Sequence, residues 1–203
     1  MYLKRMKKKL IILLTILLIC TSFAFSKDYY DSGDQFFTIS LGPSMPLSIT
    51  NFSDNQTSLF PGEDGTKLYL GGTGSISYQV FFDPKFSVGG ELGYQFNEAI
   101  SKSLFTAVPM LARLTYFPIQ GKIDVPISFG LGGTYLSFKD AGNAFIIGAS
   151  VDIGINYYFK DSWSLGFSSG LYAMPELYIN KDKFEHNSLA TFVPMKLSFT
   201  YRQ

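Results

Sequence analysis

Cysteine, histidine and tryptophan each occur once in this 203-residue sequence. The cysteine, Cys20, lies in an N-terminal segment expected to be removed on export, so the mature chain has no disulfide framework, no thiolate metal site and no thiol nucleophile. Charge is also scarce. Charged residues make up 16% and the net charge is +1, which provides neither a basic field for nucleic acid nor an acidic tail. Beyond the N-terminal segment no run approaches the ~18 consecutive apolar residues of a membrane-spanning helix, which excludes helical spans. Aromatics at 17% and glycine at 19 residues are nevertheless high for a soluble domain. A closed barrel is the remaining way to cross lipid with every backbone group paired.

Residues Met1 to Ser26 open with Lys4, Arg5, Lys7, Lys8 and Lys9, continue through the apolar run Leu10 to Ile19, and end on Ala24-Phe25-Ser26. That order reads as a secretory signal peptide, with cleavage expected after Ser26 and a single domain from Lys27 to Gln203. The competing reading is lipidation of Cys20. A lipoprotein signal places a small residue before its cysteine, and Ile19 stands there instead.

Period-two alternation marks eight candidate strands. In Phe86 to Phe96, residues Phe86, Val88, Leu92, Tyr94 and Phe96 share one face, with Ser87, Glu91 and Gln95 on the other. A soluble strand usually runs about five or six residues, whereas one crossing a bilayer at a tilt needs about nine to eleven. The other seven are Gln35 to Gly42, about Lys67 to Phe81, Leu104 to Phe117, Lys122 to Phe138, Ala144 to Phe159, Trp163 to about Ala173, and Leu189 to Arg202. Connections after the even-numbered strands are short. Those after the odd-numbered ones include the long polar segments Pro43 to Thr66 and Ile179 to Ser188, the asymmetry of periplasmic turns and outer loops. Aromatics gather beside the short turns, and Phe81, Phe86, Tyr116, Tyr157, Trp163 and Tyr201 are expected to form a periplasmic interfacial girdle. Pro109, Pro126, Pro175 and Pro194 fall inside or near the ends of strands, where each removes a ladder donor, so a bulge or local break is expected.

Faces set by the apolar residues alone place Glu91, Arg113, Asp152 and Lys196 together on the opposite, lumen face. A one-residue slip would reverse every side chain. All four lie at similar depth, so they are expected to form one charge layer, either a network filling a narrow barrel or a charged constriction for a small solute. Exposing Arg113 or Lys196 to lipid at mid-depth would cost about 2–4 kcal/mol, whereas pairing in the lumen offsets the burial. An eight-stranded barrel is only just wide enough for side chains to fill it, which argues against a wide diffusion pore.

His186-Asn187-Ser188 has an H-x-S spacing that resembles part of the active site of outer-membrane lipid A deacylases of the PagL type. That chemistry also needs a downstream carboxylate. No acidic residue follows Glu185, so a polar loop histidine is the reading adopted. Glu63, Asp64, Glu176 and Asp182 lack metal-ligand spacing, and no metal, cofactor or catalytic residue is expected. Gly71, Gly72 and Gly74, with Gly130, Gly132 and Gly133, lack the lysine and helix of a phosphate loop; they read as strand glycines that leave room for bulky neighbours.

Together with phrases such as P-M-L-A-R-L-T-Y-F-P (Pro109 to Pro118), these features resemble the small outer-membrane barrels of diderm bacteria, the OmpA/OmpX/OmpW-like group. The resemblance implies an all-β, eight-stranded, antiparallel up-and-down transmembrane β-barrel in the bacterial outer membrane. Its implied partners are outer-membrane lipid and the barrel-assembly machinery. It implies a non-enzymatic protein, either structural or a narrow porin-like channel for small solutes. The alternative is an adhesin or ligand-binding barrel that meets host-surface ligands through outer loops such as Pro43 to Thr66. A lipid A-modifying enzyme and a soluble lipocalin-like carrier are weaker readings.

Overall fold

The computed structural model describes residues 29–53, 56–138, 142–176 and 187–203. The expected signal segment with Cys20, and Asp182 and His186, lie outside the described residues. The strands are β1 (Gln35–Asn51), β2 (Gln56–Leu59), β3 (Gly71–Asp83), β4 (Phe86–Glu98), β5 (Leu104–Ile119), β6 (Ile123–Phe138), β7 (Gly142–Lys160), β8 (Trp163–Glu176) and β9 (Ser188–Arg202). All pairs are antiparallel, each of β3 to β9 neighbours the next, and β1 pairs with both β3 and β9. The sheet therefore closes on itself as an eight-stranded barrel, with β2 attached outside the ring. Closure leaves no edge, so every span satisfies its backbone groups within the protein.

The eight barrel strands run from 13 to 19 residues, enough for a tilted bilayer crossing of about nine to eleven. Alternation sends Ile39, Leu41, Ile76, Leu92, Leu114, Leu131, Ile147, Leu165 and Leu197 to the outside, where all are exposed. An apolar belt around the whole barrel far exceeds the few hundred Å² that a soluble monomer exposes in one patch. This is a transmembrane β-barrel.

One end carries the tight connections β3–β4, β5–β6 and β7–β8, and here the chain ends meet: Gln35 N–H donates to Gln203 O at 2.9 Å, and Gln203 N–H to Gln35 O at 3.0 Å. At the other end the structure departs from the expected loop Pro43 to Thr66. Residues 43–51 continue β1, and β2 folds back so that Ser48 pairs with Leu59 and Asn51 with Gln56. Pro43 and Pro46 hid this extension from a pattern reading; the ladder to β9 passes them, with a register shift between Pro46 and Ser48. Conversely, β3 starts only at Gly71, because Lys67 turns with φ 59° and Leu68 forms just one bridge, to Ala99.

Three of the flagged prolines break the ladder without moving its register. β4 pairs Leu92 with Met110 and Gln95 with Ala107, leaving a gap around Pro109. Equivalent gaps lie at Pro126, between Asp124↔Asn156 and Ile127↔Ile153, and at Pro194, between Ser169↔Met195 and Tyr172↔Phe192. Pro175 stays opposite Leu189, and β8 runs through it to Glu176.

Candidate functional site

The barrel interior is stratified. At the tight-turn end Tyr30, which precedes β1, is fully buried among Phe36, Phe81, Phe117 and Tyr158, with ring centroids 4.6 to 5.4 Å from the three phenylalanines. Its hydroxyl donates to Asp124 Oδ2 at 2.5 Å, and Asn156 Nδ2 donates to Asp124 Oδ1 at 2.6 Å. Arg202 stacks over Tyr29 and Tyr30 and pairs with Asp34 at 2.8 Å. The segment before β1 is thus a stopper. Burial, reinforced by the Asp124 carboxylate, pushes the Tyr30 phenol above its ordinary pKa and keeps it a donor.

Above the stopper, short polar side chains saturate one another. Ser87 and Thr115 both donate to Gln79 Oε1, at 2.9 and 2.7 Å, and Thr115 meets Ser128 at 2.9 Å. Next comes the charge layer, which joins all four charges read from the sequence. Arg113 donates from Nη1 to Glu91 Oε2 and from Nη2 to both oxygens of Asp152 at 2.9 Å, while Lys196 Nζ reaches Glu91 Oε1 at 3.3 Å. Two cations thus balance two carboxylates, and the exposure of Arg113 is 6%. A buried pair of this kind holds only if both partners remain.

Toward the long-connection end the interior turns apolar. Ala107, Leu111, Ile146, Tyr172, Met174 and Phe192 are buried there with Leu68 and Ala99 from the connections. Tyr172 and Thr134 hydroxyls satisfy each other at 2.5 Å, in space that Gly148 leaves open: a Cβ there would lie 2.3 Å from Thr134 Oγ1. Above them is a cavity of about 790 Å³ lined by Ile49, Leu68, Phe105, Leu136, Met174, Ala190 and Phe192, with Thr66, Ser101, Ser188 and Glu176 also in its wall and the exposed Glu63 and Lys67 at its rim. Inside the charge and polar layers the remaining spaces are only about 30 and 70 Å³.

Of the expected girdle, Phe86, Tyr116, Tyr157 and Tyr201 face outward and are exposed, and Trp163 stacks on Phe199 at 4.8 Å. Phe86 stacks on Tyr116 at 4.9 Å. Phe81 is a correction: at 1% exposure it belongs to the stopper. Alternation already assigns it there, since Ile76, Tyr78 and Val80 point out and Ser77, Gln79 and Phe81 point in. The same parity puts Phe117 and Tyr158 inside, next to outward Tyr116 and Tyr157. Counting aromatics near turns, without splitting each doublet by face, concealed the stopper. Alternation does not announce the apolar cavity, because Leu111, Ile146 and Phe192 are apolar residues at inward positions and Met174 lies beyond the expected end of its strand at about Ala173. Of the H-x-S segment, Ser188 opens β9 and Asn187 is buried. Among the described residues no group of three or more His, Cys, Asp or Glu could hold a metal.

Residues 20–201 match the model of a family whose function is uncharacterised. The chain belongs to that family. Relatives include an uncharacterised protein of Treponema pallidum (strain Nichols), 27% identical over 165 residues, which span 78% of this chain and 74% of that one. Another, from Borreliella burgdorferi, is 25% identical over 179 residues, 78% of this chain and 82% of the relative. Among solved structures, the crystal structure of Neisserial surface protein A is similar, with a TM-score of 0.57, 12% identity, and coverage of 82% of this chain and 96% of that one. At that identity the likeness concerns the fold.

Proposed function

We propose that the protein is exported with cleavage after Ser26 and resides in the bacterial outer membrane as a closed, non-enzymatic barrel whose long-connection end faces outward and does the binding. The observation that carries this reading is the filled interior. A solute would have to displace the Arg113 network, the Gln79 hydrogen bonds and the Tyr30 stopper in succession. A porin-like conduit is disfavoured on that ground. The exposed apolar belt and the buried charges also favour a membrane barrel over a lipocalin-like carrier, which keeps its charges in water.

Binding through the outer end has support in the β1–β2 hairpin, where Phe52, Leu59 and Phe60 stand 45%, 54% and 58% exposed. Aromatic-bearing loops on rigid strands are common recognition devices. The test of the closed reading is single-channel conductance of the refolded protein in planar bilayers. A folded but silent barrel is expected. Discrete openings that change size or ion selectivity in Arg113→Ala or Lys196→Ala would overturn it and make the charge layer a filter.

A further inference from the structure

The cavity at the long-connection end has three properties that together define an occupant. Its depth is apolar: Met174 and Phe192 are 1% and 0% exposed, and Phe192 stacks on Phe105 at 5.6 Å with an interplanar angle of 9°. Of its polar lining, the buried Thr66 hydroxyl donates to Leu68 O at 3.5 Å, and below the pit Thr134 and Tyr172 are spent on each other. Its rim, by contrast, carries both signs of charge among the described residues, in the exposed Glu63 and Lys67. Its floor is blind, because the Arg113 network closes the barrel beneath it. A molecule entering here leaves by the same end.

An apolar pit with a charged rim complements a molecule with one tail and one polar head. About 790 Å³ falls within the range of about 300–1,000 Å³ that holds one small ligand, which suits a single chain and excludes a bulky diacyl lipid. Among the described residues, one exposed carboxylate and one exposed ammonium at the rim, Glu63 and Lys67, suit a zwitterionic head better than an anionic one. We propose that this cavity binds one single-chain zwitterionic amphiphile, its tail on Phe105 and Phe192 and its head between Glu63 and Lys67. The proposal rests on the long-connection end being the working end of a closed barrel.

The test is calorimetric titration of the barrel in lipid nanodiscs with dodecylphosphocholine below its micellar concentration, empty nanodiscs serving as the blank, and with dodecanoate as the anionic comparison. Saturable one-to-one binding of dodecylphosphocholine, at least tenfold tighter than dodecanoate, is expected. Ala190→Trp and Ala99→Trp, which fill the pit from opposite walls, should each weaken it at least tenfold. If one variant fails to fold, the other still decides. Absence of saturable binding to the wild type, equal affinity for dodecanoate, or unchanged binding in a folded filled variant would overturn the proposal. A silent barrel that does not bind would sink the amphiphile site alone, whereas a conducting barrel would sink the closed reading.

Discussion

Arg113 Nη2 lies 2.9 Å from each carboxylate oxygen of Asp152, a forked contact between β5 and β7, two strands apart in the ring. It ties these two non-adjacent strands through the lumen while Nη1 holds Glu91 on β4. Removing the guanidinium strands two buried carboxylates with only Lys196 beside them. Arg113→Ala is therefore expected to destabilise the barrel by about 3–5 kcal/mol. Adding Asp152→Asn should recover part of that loss. Urea unfolding from lipid vesicles gives both values, and a loss below ~1 kcal/mol in the single variant would show that the network does not hold the walls.

Tyr30 contributes through the packing of its ring and through the hydrogen bonds of its hydroxyl, and two substitutions separate them. Tyr30→Phe loses the hydroxyl alone, with its donation to Asp124 and its contact to the Tyr158 hydroxyl at 3.3 Å, expected to cost about 1–3 kcal/mol. Tyr30→Ala also empties the aromatic cluster, for about 3–5 kcal/mol in all. Equal costs for the two, by the same unfolding assay, would mean that ring packing adds nothing.

The same residue gives a pH signature. Burial, with the Asp124 carboxylate beside it, raises the folded Tyr30 pKa, while an unfolded tyrosine ionises near ~10. With the folded value the higher, the stabilisation is complete below ~10 and is lost as pH climbs toward that value, at about 1.4 kcal/mol per unit. Tyr30→Phe has no proton to lose, so its deficit against wild type should shrink as pH rises from about 10 to 11. A constant deficit across that range would contradict the buried, protonated phenol.

Strand count, ring order and the position of the charge layer were legible because each rests on period-two alternation, which the bilayer enforces over long spans. Glu91, Arg113, Asp152 and Lys196 all fall opposite the apolar face of their strands, so the apolar residues alone placed them. What escaped was whatever alternation does not encode. Tyr30 precedes the first strand, the β1 extension carries Pro43 and Pro46, and the apolar cavity arises where both faces of the strands are apolar. Phe81, Phe117 and Tyr158 were visible in principle as the inward members of aromatic doublets.

Leu131 and Ile123 lie on the same outward face of β6, one at the middle and the other at the tight-turn end, with exposures of 63% and 48%. In water an exposed leucine or isoleucine tolerates arginine with little change, usually within ~0.5 kcal/mol. In a bilayer the cost depends on depth, about 2–4 kcal/mol at the midplane and about 0–1 near the interface. Leu131→Arg should therefore destabilise the barrel in lipid vesicles severalfold more than Ile123→Arg. The difference comes from desolvating the guanidinium, since neither position has a buried partner to lose, and a second outward arginine close to the midplane should cost a comparable amount. Equal, small effects at both depths would remove the physical reason for reading the apolar belt as lipid-facing, and with it the membrane assignment.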